Sequence, residues 1–106
     1  YRGIVRYGMK DLDGALADYN KAISLGLKSS AVYFNRGVIF HQKGQLSDAI
    51  ESYSRSIEID PSNARAYYNR AISKLIVDNY KEALQDLEIS KRLGYSKAAE
   101  IISQYY

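Results

Sequence analysis

The sequence has 106 residues, of which 46% are hydrophobic and 25% are charged, a balance typical of one small folded domain and not of a disordered tail. The formal net charge is +3, and its basic residues are scattered along the chain, which argues against a nucleic-acid-binding surface. No apolar run approaches the ~20 residues that cross a bilayer, so we expect no membrane partner.

The residue types needed for catalysis or metal binding are scarce. There is no cysteine. The sequence places neither a nucleophile nor an orienting acid with the lone histidine, His41, as a catalytic base would require. We therefore expect no enzyme activity, no metal and no cofactor. The chain begins with Tyr1 and not with methionine, so we expect it to be a piece of a longer protein.

A period of 34 residues runs through the chain, and Ala15, Ala49 and Ala83 mark it. Side chains of similar size recur at the same interval in five further sets, which are Gly3, Gly37 and Ala71; Leu12, Leu46 and Tyr80; Tyr19, Tyr53 and Leu87; Ala22, Ser56 and Ser90; and Leu25, Ile59 and Leu93. A fixed period of this length indicates stacked repeats, in which each unit buries its apolar face against its neighbours.

The first predicted unit covers residues 1–29. It lacks the opening residues of the other units, so we expect a truncated repeat with a short first helix. By register, the break between its two helices is expected at Lys10-Asp11.

The second predicted unit covers residues 30–63 and has apolar residues at helical spacing on both sides of Lys43-Gly44-Gln45, which predicts two helices. Asp60-Pro61 should end the second helix, because proline cannot continue the hydrogen-bond ladder. Ser62 or Asn63 then caps the next helix.

The third predicted unit covers residues 64–95 and breaks at Asp78-Asn79. Residues 96–106 form an amphipathic pattern, with an apolar face made of Ala98, Ile101, Ile102 and Tyr105. We interpret this segment as a capping helix over the last pair, and the start of a further repeat is the alternative.

The second unit resembles the tetratricopeptide repeat, a 34-residue helix-turn-helix family. The resemblance is carried by Tyr33, Gly37, Phe40, Ala49, Tyr53 and Pro61. The third unit fits less closely, because Lys74 replaces the aromatic residue and Gly94-Tyr95 replaces Asp-Pro. The resemblance implies an all-α fold, a right-handed superhelical solenoid of three antiparallel helix pairs with a C-terminal cap, whose first helices line a concave groove.

The exposed stripe of these first helices is the predicted peptide-binding surface. It comprises Tyr1, Ile4, Tyr7, Phe34, Asn35, Val38, His41, Arg65, Tyr68, Asn69, Ile72 and Leu75. Such an apolar stripe is unusual on a monomer without a partner. Asn35 and Asn69 lie 34 residues apart, and their amides could pair with the backbone of an extended peptide. The alternative is that the two asparagines only cap or solvate the helices.

We therefore predict a protein–protein interaction module that binds a peptide segment of a partner protein. A structural scaffold remains the alternative, in which the apolar groove or the first helix packs on another copy, as a homo-oligomer, or on the rest of the parent chain. Some related domains grip the acidic C-terminal tails of cytosolic chaperones with a clamp of lysines, asparagines and an arginine. Ile4 and Asn69 occupy two of those clamp positions here, so we predict no strong binding of such a tail.

Three further predictions concern packing. The small residues Gly3, Gly37 and Ala71 should face Ala15, Ala49 and Ala83 across each helix pair. Each arginine in the set Arg2, Arg36 and Arg70 should pair with an aspartate of the neighbouring repeat, Arg36 with Asp18. Five tyrosines are expected to fill the core, namely Tyr19, Tyr33, Tyr53, Tyr67 and Tyr80.

Overall fold

The computed structural model describes residues 2–27 and 29–105, with side chains described for 13–27 and 29–104. These residues form six helices, which are α1 (Arg2–Ser24), α2 (Ser30–Gln42), α3 (Leu46–Ile59), α4 (Ala64–Ile76), α5 (Tyr80–Arg92) and α6 (Ser96–Tyr105). Each helix packs on the next in chain order, and α2 also contacts α4. The described part contains no strand, and the predicted all-α helical repeat solenoid is confirmed. None of its helices has the length and hydropathy of a membrane span.

The predicted breaks inside the second and third units are confirmed, and each turns on one residue in the left-handed region. Gly44 has φ +80° and Asp78, at the same register, has φ +65°. Beyond each turn a backbone N–H reaches back to the helix, from Gln45 to the Phe40 carbonyl and from Asn79 to the Lys74 carbonyl, both at 2.8 Å. These bonds satisfy carbonyls that the helix end would otherwise leave unpaired.

The predicted break in the first unit is wrong, because α1 runs without interruption from Arg2 to Ser24. Lys10 stands where Gly44 and Asp78 adopt positive φ. A residue with a large side chain costs about 1–2 kcal/mol in the left-handed region, whereas glycine, and to a lesser degree aspartate, tolerates it. The first unit therefore lacks the residue that makes the turn, and the helix continues.

Side-chain caps define where α2 and α4 begin. The Ser29 hydroxyl accepts from the Val32 N–H at 3.1 Å, and the side-chain oxygen Oδ1 of Asn63 accepts from the Ala66 N–H at 3.2 Å. Of the two residues proposed to cap α4, Asn63 does so. Ser62 instead donates through its N–H and hydroxyl to the Asp60 carboxylate, which fixes the turn around Pro61.

The core lies between paired helices and is lined by small side chains. Ala49, Ala71, Ala83 and Leu87 have no exposed surface. Buried serines also join the two helices of each pair: Ser56 and Ser30 hydroxyls lie 2.8 Å apart, and the Ser90 hydroxyl donates to the Ala64 carbonyl at 2.8 Å. These hydrogen bonds satisfy polar groups that are buried where the two helices pack closely together.

Two packing predictions need correction. Tyr80 is 55% exposed and does not fill the core, because it is the first residue of α5 and its hydroxyl donates to the Asp78 carboxylate. Gly37 is buried as predicted, but the side chain that fills the space beside it is the Tyr53 ring.

Helix α6 covers the end of the described solenoid. Ala98 is fully buried, and Ile101 and Ile102 pack against the cluster that contains Ala71 and Leu87. The opposite face is exposed, at Ser96, Lys97, Glu100, Ser103 and Gln104. The predicted amphipathic faces are thus confirmed for these residues, and the side chain of Tyr105 lies outside the described part.

Candidate functional site

A depression of about 270 Å³ lies between α2 and α4, and we call it the central depression. It is lined by Val38, His41, Gln42, Tyr53, Tyr68, Asn69 and Ile72. Five of these side chains belong to the predicted groove, so the structure brings this part of the prediction together. Among the residues whose side chains are described, its lining contains aliphatic, aromatic, amide and imidazole groups and no carboxylate, lysine or arginine.

His41 is held in place by the neighbouring repeat. Its Nδ1 lies 3.0 Å from the hydroxyl oxygen of Ser73, a residue with no exposed surface. This contact links α2 to α4 at the edge of the central depression, so the imidazole is a fixed wall of the groove.

Tyr53 reaches the central depression from α3, and the sequence analysis placed it only in the core. A Cβ atom added at Gly37 would lie 2.6 Å from Cε1 of the Tyr53 ring, so the ring uses the space that the glycine leaves open. The Phe34 ring contacts the same tyrosine, with ring centroids 5.7 Å apart. Since the related repeats carry phenylalanine in this slot, the hydroxyl was the one sequence signal that could have pointed to the groove.

The Tyr53 side chain and Asn69 both line the central depression. Burial raises the pKa of Tyr53 to about 12, and the neighbouring Asn69 side chain opposes that rise in part. The phenol therefore keeps its proton at any physiological pH.

Tyr68 was predicted as an aromatic anchor on the groove, and the structure packs it against the last helix pair. Its ring makes an edge-to-face contact with Tyr95, with centroids 4.9 Å apart. Burial raises the pKa of Tyr68, and the neighbouring Tyr95 and Glu100 raise it further by charge repulsion. One side of the ring is thus fixed against Tyr95 while the residue also lines the central depression.

A second depression, of about 420 Å³, lies at the start of α2 and α4, and we call it the Phe34 depression. It is lined by Ser30, Ala31, Phe34, Asn35, Asp60, Asn63 and Arg65. The Arg65 guanidinium sits over the Phe34 ring at 5.3 Å from its centroid. Asn35 is exposed here, so the two predicted asparagines line separate depressions on adjacent helices.

A third depression, of about 340 Å³, lies near the end of α4 and is lined by Ile72, Leu75, Ile76, Tyr80 and Ile101. We call it the Ile76 depression. Ile72 lines both this depression and the central one, so the two are adjacent along α4. Ile76 is 55% exposed, which leaves a large aliphatic side chain in contact with water.

The remaining predicted groove residues are Tyr1, Ile4 and Tyr7. Tyr1 lies outside the described residues, and Ile4 and Tyr7 belong to the part of α1 whose side chains are not described.

The prediction for Arg36 is wrong, because its partners are polar groups other than Asp18. Its Nε donates to the Ser52 hydroxyl at 3.0 Å, and a terminal nitrogen donates to the Asn20 side chain at 3.1 Å. The guanidinium also lies over Tyr33 and Phe40, 5.2 and 5.7 Å from their ring centroids.

Arg70 does pair with an aspartate, but the aspartate belongs to its own helix pair. It donates two hydrogen bonds to Asp86, at 2.7 and 2.8 Å, and a third to Ser54 of the preceding pair at 3.0 Å. Lys74 lies 3.0 Å from the same carboxylate, and both residues are nearly buried. Arg70 thus contacts its own helix pair through the Asp86 carboxylate and the preceding pair through the Ser54 hydroxyl.

Comparison with known proteins agrees with this architecture. A family model described as TPR repeat matches residues 37–74. The Arabidopsis OM64 TPR domain has a similar structure, with a TM-score of 0.80 and 27% identity over 90% of this chain and 79% of that chain. MamA is similar too, with a TM-score of 0.80 and 25% identity over 88% of this chain and 56% of its own.

The first TPR of Spaghetti (RPAP3), solved bound to an HSP90 peptide, has the same fold with a TM-score of 0.83 and 17% identity, over 97% of this chain and 83% of that one. A search of curated proteins finds no significant match to the sequence. Within the described residues, no group of histidine and carboxylate side chains could hold a metal ion.

Stacked helix pairs and a groove between their first helices define a helical-repeat interaction scaffold. The repeat model matched over residues 37–74, the 34-residue register and the helical-repeat fold are consistent with a protein of the tetratricopeptide repeat family.

Proposed function

We propose that the groove between α2 and α4 binds an extended, largely uncharged segment of a partner protein, and that the chain works as a non-catalytic interaction module. The observation that carries this proposal is the chemistry of the central depression, whose described lining combines apolar walls with amide groups and an imidazole and includes no carboxylate, lysine or arginine. A charged peptide side chain would lose its hydration there and find no counter-ion.

An extended partner fits better than a helical one because of the amides. Asn69 and Gln42 line the central depression, and Asn35 lies on the adjacent helix. Amide side chains both donate and accept, so they can pair with the backbone groups of an extended segment. A helix has already paired those backbone groups internally.

The adjacent apolar surfaces would take the side chains of the segment. Ile72 joins the central depression to the Ile76 depression, which is lined by four aliphatic residues and a tyrosine. Side chains of a strand that point to one side recur every second residue, about 7 Å apart. Ile72 and Ile76 are one helical turn apart, about 6 Å, so alternate side chains of a strand can reach both depressions.

An acidic chaperone tail is not the segment we propose, although the Spaghetti domain is bound to such a peptide. No lysine or arginine is found among the described residues that line the central depression, and Arg65, which lines the Phe34 depression, stacks on an aromatic ring there.

The test is a selection from a display library of random peptides, followed by titration of the selected peptides. We expect sequences with apolar residues at alternate positions. An Asn35→Ala/Asn69→Ala variant should bind them about 5- to 150-fold more weakly, since each lost hydrogen bond is worth about 0.5–1.5 kcal/mol. Gln85→Ala is the matched control, because Gln85 is exposed on α5 outside the groove.

Two results would overturn the proposal. One is a selection dominated by acidic peptides that bind with micromolar affinity. The other is a selected set whose affinities for the wild type and the double asparagine variant are equal while circular dichroism shows both proteins folded.

Self-association is the second candidate, and the turn after α1 favours it. Leu25 and Leu27 are 67% and 62% exposed, which is unusual for two leucines so close together. Light scattering over a hundredfold concentration range separates the candidates. A constant monomer mass agrees with peptide binding, whereas a mass that doubles, and that a Leu25→Ser/Leu27→Ser variant returns to monomer, agrees with self-association.

A further inference from the structure

We infer that His41 presents its Nε2–H as a hydrogen-bond donor to a main-chain carbonyl of the bound segment, and that the buried Ser73 is the positioning residue that fixes this tautomer of the ring. The inference rests on the proposed function, since it assigns one polar contact inside the central depression.

A hydrogen bond between the two first helices is the first observation. Nδ1 of His41, on α2, lies 3.0 Å from the hydroxyl oxygen of Ser73, on α4. Ser73 has no exposed surface, so water does not reach its hydroxyl. Among the described residues, the hydroxyl has no hydrogen-bond partner besides Nδ1. The imidazole is therefore the acceptor available to the buried hydroxyl hydrogen.

The burial of Ser73 decides which of the two atoms donates. If Nδ1 carried a hydrogen, it would donate to the hydroxyl oxygen, and the hydroxyl hydrogen would be buried without an acceptor, which is unfavourable. The hydroxyl therefore donates to an unprotonated Nδ1. Because a neutral imidazole carries one hydrogen, that hydrogen is on Nε2.

The second ring nitrogen of His41 is open to solvent. No hydrogen bond that involves Nε2 is found among the described residues. A buried side-chain nitrogen without a partner does not occur in that part of the chain, so Nε2 must reach solvent. Since His41 lines the central depression, Nε2–H is a donor that a segment lying there can reach.

A main-chain carbonyl is the acceptor that fits this donor. An extended segment does not pair its own carbonyls internally, and they recur at every residue whatever the side chains are. A carboxylate fits less well, because the described lining includes no lysine or arginine to replace its hydration. Since Ser73 already holds the ring, less side-chain freedom is lost on binding.

The neighbouring repeats lack this pair of residues. Tyr7 and Leu75 occupy the register position of His41, and Ile39 occupies that of Ser73. The imidazole and the hydroxyl that orients it thus occur together where α2 meets α4, at the central depression.

Nitrogen NMR of the unliganded protein tests the tautomer, because one histidine gives one set of imidazole signals. At the alkaline end of the His41 titration, where the ring is neutral, Nδ1 should have the chemical shift of an unprotonated nitrogen and Nε2 that of a protonated one. Ser73→Ala should move the Nδ1 signal. Ser90→Ala, which removes another fully buried hydroxyl, should leave it in place. A protonated Nδ1 in the wild type would overturn the inference.

Binding of a peptide selected on the wild type gives the second readout, and two amide replacements separate the roles of the ring nitrogens. A glutamine amide extends as far as Nε2, whereas an asparagine amide extends only as far as Nδ1. We expect His41→Asn to weaken binding by about 2- to 12-fold, the worth of one hydrogen bond, and His41→Gln to keep most of the affinity. Equal losses in the two variants would mean that the ring only packs, and would overturn the inference.

Peptides with one main-chain amide at a time replaced by an ester identify the acceptor, since an ester carbonyl accepts a hydrogen bond more weakly than an amide carbonyl. One replacement should weaken binding to the wild type and have no further effect on binding to His41→Asn. If every replacement affects the two proteins equally, the contact with a main-chain carbonyl is wrong.

Failure of the inference and failure of the proposed function can be told apart. If Asn69→Ala weakens binding of the selected peptide but His41→Asn does not, the groove binds peptide and the role of His41 is wrong. If neither variant affects binding while circular dichroism shows both folded, the proposed groove contact is wrong and the inference falls with it.

Discussion

The aromatic ring of Tyr53 is buried in the core, and its hydroxyl lies at the groove. The ring fills the space beside Gly37, and the hydroxyl ends at the groove floor beside Asn69. A phenolate in this position would be poorly hydrated, which is why burial raises the pKa to about 12 from the ordinary value of 10.0.

This shift predicts a loss of stability at alkaline pH. Between pH 10.0 and about 12 the unfolded chain releases the Tyr53 proton while the folded chain keeps it, so rising pH favours unfolding. This loss of stability begins near pH 10 and should reach about 2 kcal/mol by pH 12, since each pKa unit of the shift corresponds to 1.36 kcal/mol.

Urea unfolding at a series of pH values measures it. Tyr53→Phe removes the titrating group, so its stability should fall less steeply over this range than that of the wild type. Tyr19→Phe serves as the control for general alkaline effects. Equal slopes for the wild type and Tyr53→Phe would show that the phenol is not buried as described.

At the scale of helix pairs, the second and third units fill the space between their two helices with different residues. Gly37 and Tyr53 in the second pair correspond by register to Ala71 and Leu87 in the third, and all four are buried. The larger ring requires the smaller partner, because a Cβ at Gly37 would lie 2.6 Å from the ring.

Gly37→Ala should therefore destabilise the domain by about 1–3 kcal/mol through overpacking, despite alanine's better helix propensity. Gly37→Ala/Tyr53→Leu copies the third pair and should recover most of that loss. Thermal melts of the two variants and of Tyr53→Leu alone complete the cycle. A double variant that is no more stable than Gly37→Ala would contradict the compensation.

A second exchange involves charge. Phe40 and Ser52 in the second pair correspond to Lys74 and Asp86 in the third. Asp86 accepts from Arg70 and Lys74, and its side chain is only 4% exposed. The anion compensates two cations that burial would otherwise make unfavourable.

Asp86→Asn should destabilise the domain by about 3–5 kcal/mol, because it leaves the largely buried Arg70 without its carboxylate partner and Lys74 with only Glu82 at 3.4 Å. The double variant Lys74→Phe/Asp86→Ser gives the third pair the residues that the second pair has at these positions. The stability of this variant should lie within about 1.5 kcal/mol of that of the wild type. Chemical denaturation checks both values. The account fails if the transplanted pair is as unstable as Asp86→Asn.

These exchanges also show what the sequence could predict. The 34-residue register places both inter-helix turns and the buried alanines correctly, since spacing alone fixes which residues face the core. The break at Lys10-Asp11 was wrong because register does not test whether a residue can adopt positive φ. The arginine partners were wrong because the guanidinium selects its acceptors by three-dimensional reach, at Ser52 and Asp86.

The groove was predicted in part for a similar reason. Helical spacing identifies the stripe that contains Val38, Asn69 and Ile72, and the structure places these three side chains in one depression. Spacing on the first helices cannot reveal Tyr53, because this residue enters the groove from the second helix of its pair. Nor does it show that Asn35 and Asn69 line different depressions.

At the scale of the whole molecule, stacked pairs create a surface that no single pair has. The central depression is formed by residues of α2, α3 and α4, and the Ile76 depression is formed by residues of α4, α5 and α6. Among the described residues, the lining of the central and Ile76 depressions contains no carboxylate, lysine or arginine, and Asp60 and Arg65 line the Phe34 depression.

The measurement that tests the central claim most directly is nuclear magnetic resonance mapping of a selected peptide on the isotope-labelled protein. The account predicts that the methyl groups of Val38 and Ile72 and the side-chain amide of Asn69 shift most, and that the exposed residues Glu51 and Glu88 on α3 and α5 do not respond. Shifts confined to the α3 and α5 residues, with no response from the central depression, would contradict it.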